Sequence, residues 1–93
     1  MKLTVNIYMD IMEEVEVQEI APGLAFARFP AVSREPYYTL FHVPSSSKIK
    51  TVRTQKTVKE LAGRISPLLD WTRNDFTSEE LQPAALICRE YRL

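Results

Sequence analysis

The chain of 93 residues has a single cysteine, Cys88, a single histidine, His42, and two glycines, Gly23 and Gly63. One cysteine excludes an internal disulfide and suits a reduced, cytoplasmic setting. Two glycines that far apart exclude a glycine-rich phosphate loop. One His and one Cys without a ligand-spaced pair leave no zinc site to expect, and nothing calls for a cofactor. No run approaches the ~18 apolar residues of a membrane span. The N-terminus alternates polar with apolar residues where a signal peptide would be continuously apolar. No membrane association is expected.

Catalytic groupings are also missing. A Cys–His nucleophile would need Cys88 and His42 to meet in space. Cys88, however, ends the apolar run Ala85-Leu86-Ile87-Cys88 and reads as core packing. The acidic pair Glu13-Glu14 falls near a turn. Glu79-Glu80 falls in a helix's first turn, where carboxylates suit the dipole. Asp70 and Asp75 flank Trp71 but are too few for a cation site. The expectation is a protein without enzymatic activity.

What is present is an ordinary globular composition, 45% apolar and 26% charged, so one domain over 1–93 is expected, with little disorder. Its 12 basic and 12 acidic residues cancel. Their distribution is uneven. Residues 1–25 carry one Lys against five acids, residues 26–64 carry eight Lys and Arg against two acids, and residues 65–93 carry three against five. A neutral total argues against a strongly cationic nucleic-acid binder. The simplest reading of the split is two complementary faces of one fold.

Leu3, Val5, Ile7 and Met9 alternate with polar positions and predict a strand with one buried face. Val15 to Ile20 predicts a second strand, with Val15 and Val17 inward. Pro22-Gly23 marks a turn into a third strand, Leu24 to Phe29, where Ala25 and Ala27 leave one face small. Residues 30–36 read as a loop. Tyr37 to Val43 is the most β-prone run, apolar or aromatic on both faces, which suggests a strand covered on both sides or one side left for a partner. Lys48 to Arg53 predicts a fifth strand.

The period then changes. Val58, Leu61, Ala62, Ile65, Leu68 and Leu69 form one helical stripe. Thr57 and Glu60 have the spacing of a capping box, which places the start at Thr57. Pro67 must kink this helix or end it near Ile65. Trp71 reads as a core anchor. Thr77 and Glu80 form a second capping box. The helix it opens should place Leu81, Ala84, Ala85, Cys88 and Tyr91 near one face, although Pro83 weakens it and residues 86–93 could instead form a strand. Strands over 1–53 followed by helices over 54–93 predict an α+β fold, a four- or five-stranded antiparallel sheet with two C-terminal helices packed on one face. The first helix and Trp71 are expected to cover Val5, Ile7, Phe26 and Phe41.

Two functional readings follow. The first is a non-catalytic module that binds a protein partner, since the chain offers apolar strand faces and a long first strand without proline. At a sheet edge that strand could pair with another chain, including a second copy, unless the C-terminal tail caps it. The second is single-stranded nucleic-acid binding through the basic stretch. Lys48, Lys50, Arg53, Lys56 and Lys59 occur without an intervening acid, and Tyr37 or Tyr38 could stack on bases while the cations hold phosphates.

The run Tyr37-Tyr38-Thr39-Leu40-Phe41-His42-Val43-Pro44-Ser45, followed by a helix ending Leu68-Leu69-Asp70-Trp71, resembles small uncharacterised proteins of phages and mobile elements. In those, an aromatic strand ends in a His-x-Pro-Ser or Thr turn and a later helix ends in Asp-Trp. The likeness covers about 35 residues. It implies an accessory role and no particular activity.

Overall fold

The structure is a computed structural model that describes residues 1–8, 11–29 and 37–91, with the backbone alone at 7 and 8. Six strands precede two helices: β1 Lys2–Tyr8, β2 Ile11–Glu16, β3 Gln18–Ala21, β4 Leu24–Arg28, β5 Tyr38–His42, β6 Ser47–Val52, α1 Gln55–Ile65 and α2 Ser78–Cys88. A short 3₁₀ turn, Ser66–Leu68, follows α1. All strand pairing is antiparallel, in a hairpin β1–β2 and a four-stranded sheet β3–β4–β5–β6.

The α+β class and the order of strands before helices are as the sequence predicts. The number of sheets is not. The expected strand Val15–Ile20 divides at Val17 between the two sheets. Its side chains alternate without interruption: Val15 and Val17 are buried together, and Ile20 packs on the opposite side. What changes is the partner, β1 before Val17 and β4 after it.

The four-stranded sheet is therefore covered on both faces. On one, Leu24, Phe26, Leu40 and Val52 pack against Val58, Leu61, Ala62 and Ile65 of α1, with Trp71 and Ala84. On the other, Ala25, Ala27, Phe29 and Phe41 pack against Leu3, Val5, Val15 and Val17. Ala25 and Ala27 are small where the hairpin lies on the sheet, which lets its backbone approach closely. The helices thus cover Phe26 but not Val5 or Phe41, which belong to the opposite core. The side chain of Ile7 and the loop expected at 30–36 lie outside the described residues. The buried Thr39 meets its hydrogen-bonding need in place: its hydroxyl donates to the Phe29 carbonyl at 3.1 Å and lies 2.9 Å from that of Thr51.

α1 starts earlier than the Thr57–Glu60 spacing suggests. Thr54 is the cap, its hydroxyl oxygen accepting from the Thr57 N–H at 3.1 Å. Thr57 is already inside the helix and adds a 2.7 Å hydroxyl contact back to Thr54. The helix ends at Ile65 and Pro67 sits in the 3₁₀ turn, so Leu68 leaves the stripe and is exposed. Trp71 is buried and its indole N–H donates to the Ile65 carbonyl at 2.9 Å. α2 has the predicted capping box at Thr77 and Glu80, and continues past Pro83 to Cys88, so residues 86–88 are helix and not strand. Of the side chains expected on its inner face, Ala84 is buried and Leu81, Cys88 and Tyr91 pack at the margin of the core, while Ala85 is exposed.

Candidate binding groove

A concavity of about 620 Å³ opens between the outer edge of β6 and α2. That volume lies within the roughly 300–1,000 Å³ of ordinary ligand sites. Three segments distant in sequence build it. β6 is the last strand of its sheet, so the backbone groups of every second residue point away from β5 toward the groove. Opposite, α2 contributes Leu81, Ala84, Ala85 and Cys88, and Arg89 follows its last turn. Its small residues leave the space that larger ones would fill. The loop between the helices closes one end with Trp71, Asn74, Asp75 and Phe76.

That end is held rigidly. The buried His42 places Nε2 at 2.9 Å from the Trp71 carbonyl and Nδ1 at 2.6 Å from Ser45 Oγ. A carbonyl only accepts, so Nε2 carries a proton. The Ser45 hydroxyl in turn donates to Ser47 Oγ at 2.8 Å. Ser46 turns the chain here at a φ of 56°. Phe76 stacks edgewise on His42, with ring centroids 5.4 Å apart, and lies 5.4 Å from Trp71. The Arg73 guanidinium covers Phe76 at 5.1 Å and bonds Glu80 at 2.6 Å.

Charge anchors the loop as well. The hydrogen bond from Arg73, and next the Thr77 N–H, hold the Glu80 carboxyl down at about 2. The Thr72 hydroxyl and N–H keep Asp70 below its usual range. Both groups bind protons more readily in the unfolded chain, so their contribution is complete above the ordinary carboxylate range and is lost as pH falls through it. The thermal midpoint should therefore drop between pH 5 and pH 2, and less steeply in Glu80→Gln. Melting curves at several acid pH values check this. An unchanged acid slope in Glu80→Gln would contradict it.

His42 and Cys88 both line the groove, yet both ring nitrogens of His42 are already engaged. Burial pushes the Cys88 thiol above its ordinary range, and the Lys50 ammonium offsets part of that rise. A protonated thiol without a base is a poor nucleophile. Among the described residues no group of three or more His, Cys, Asp and Glu could hold a metal ion.

The basic stretch is spread over several surfaces. Lys48 pairs with Phe41 and Lys50 with Leu40 across a bulge, so the two lie on opposite sheet faces. The Lys48 ammonium lies over the Phe29 ring at 5.4 Å. Arg53 lies over Tyr37 at 5.8 Å, and Lys59 over Phe26 at 5.8 Å. Lys56 is exposed at the start of α1. Tyr38 packs against the helix-side core. The structure brings Lys48 and Lys50 to the groove, and not Arg53, Lys56 or Lys59. The residues that sequence reasoning did not assign to a site are Arg89, Phe76 and Ala85. A usable signal was present: α2 turns mainly small residues toward the sheet.

No family model, curated protein or solved structure matches this chain. No described helix is long and apolar enough to cross a membrane.

Proposed function

We propose that this protein is a non-catalytic interaction module that captures an extended segment of a protein partner along β6. One observation carries the reading: a sheet edge with no strand beside it among the described residues faces a helix across an apolar groove. An added strand would complete the edge's hydrogen bonds, and pockets for alternate side chains would supply selectivity. Ile49, Phe76, Leu81 and Ala85 offer apolar surface on the helix side. Lys48 and Lys50 flank an incoming strand on its two faces, and Arg89 adds a third cation against the single carboxylate of Asp75. Lysines and a bulge also discourage indiscriminate edge pairing. Here they favour a segment that carries carboxylates.

A reducing cytoplasmic setting fits the lone thiol. A phage or mobile-element accessory role rests on the sequence resemblance alone. Single-stranded nucleic-acid binding ranks second, because it needs the five cations and a ring on one open face.

Panning a random peptide library against the protein tests the proposal. Enriched peptides should alternate apolar and acidic residues, and Ala85→Trp, which fills the groove from an exposed position, should weaken their binding at least about tenfold. Binding indifferent to Ala85→Trp, or turnover of a substrate lost on changing His42, would overturn it.

A further inference from the structure

We propose that the segment captured in the groove is β2 of a second copy of this chain. This rests on the strand-capture reading above and names the occupant. Ile11 and Met12 are 55% and 54% exposed, and Glu13 and Glu14 beside them are exposed too. Ile11 and Glu13 share the strand face of Val15, which is buried. The first half of β2 therefore runs beyond the core that its second half covers. It is an arm with apolar and acidic side chains and no described surface beneath it.

Three features match this arm to the groove. Among the described residues β2 pairs with β1 alone, which leaves its other edge to hydrogen-bond to the β6 edge of another copy. The four residues Ile11 to Glu14 span roughly 13 Å as a strand, within the roughly 20 Å of Ser47–Val52. One face of the arm brings an apolar side chain and a carboxylate, Ile11 with Glu13 or Met12 with Glu14, to the helix side, where the apolar wall, Lys50 and Arg89 lie, and the other face brings the remaining pair toward Lys48. The chain is neutral overall, yet among the described residues no ion pair joins Glu13 or Glu14 to Lys50 or Arg89. The acidic and basic segments thus complement each other between copies. Reciprocal exchange, each hairpin in the other's groove, closes as a two-fold dimer.

Charge reversal with sedimentation analysis tests this. At about 100 µM, above the micromolar Kd of a weak interface, the wild type should sediment as a dimer. Glu13→Lys with Glu14→Lys reverses the arm, and Lys50→Glu with Arg89→Glu reverses the groove. Each double variant should associate at least about tenfold more weakly, because its arm and groove then carry like charges. Mixed, the two variants should dimerise, since each reversed arm meets an oppositely charged groove. Recovery on mixing also shows that both variants fold. A monomeric wild type, or variants whose mixture stays monomeric, would overturn the proposal. If library peptides still bind the groove and Ala85→Trp still blocks them, self-association alone falls. If they do not, the strand-capture reading falls with it.

Discussion

Gly23→Ala should destabilise the protein by about 2–5 kcal/mol, the sum of a left-handed backbone penalty and a forced overlap. Gly23 has a φ of 82°, in the region where a β-carbon is strained. A Cβ there would also overlap the Trp71 carbonyl, which is backbone and cannot rotate away. The same carbonyl accepts the His42 Nε2 hydrogen bond, and the Gly23 carbonyl accepts from Val43 N at 2.9 Å. The substitution therefore pushes apart the β3–β4 turn, the end of β5 and the loop that closes the groove. The thermal midpoint should fall by at least about 10 °C. Gly63→Ala is the control. It sits in α1 with open space around it, so the added methyl should stabilise by about 0.5–1 kcal/mol. Thermal melts of the two variants decide the matter. A Gly23→Ala protein as stable as wild type would contradict the contact.

Phe41→Ala should cost about 3–5 kcal/mol, the usual range for emptying a fully buried aromatic site. Phe41 has no exposed surface and packs edgewise on Phe29, with centroids 5.8 Å apart, in the core beneath the hairpin. That core holds β1–β2 to the sheet, and Ala25 and Ala27 are too small to fill the void. The loss should be regional. Amide protection should fall in β1 and β2 before it falls in β4, β5 and α1. Leu40→Ala, one residue away but facing α1, should cost about 2–5 kcal/mol and spare the hairpin's relative protection. Hydrogen exchange on the two variants separates the cores. Equal loss in both would contradict a sheet with two independently packed faces.

The alternation of Thr39 and Phe41 against Leu40 and His42 leaves two readings of β5, cover on both sides or one side kept for a partner, and the first is how it lies. The Thr77–Glu80 box and the Val58-to-Ile65 stripe were equally legible, because each depends on residues within one turn of each other. The change of partner at Val17 was not. Period two reports which way a side chain points and says nothing about which strand lies alongside. The cap of α1 was misplaced at Thr57 for a related reason. Thr54 and Thr57 both have a hydroxyl in capping register, and the choice followed from β6 ending at Val52. The groove was the least legible feature, since Lys50, Phe76 and Ala85 meet only once α2 has packed beside the sheet. The basic stretch looked like one surface in sequence. Residues i and i+2 of a regular strand share a face, but the bulge at Ile49 sends Lys48 and Lys50 to opposite ones.

The central claim is that β6 acquires a strand along its open edge, and residue-resolved amide exchange of β6 tests it most directly. With an alternating apolar–acidic peptide from the library bound, every second amide from Lys48 to Val52 should become protected, because only those N–H groups point outward. Unchanged exchange along β6, with protection appearing on α1 or the hairpin instead, would contradict it.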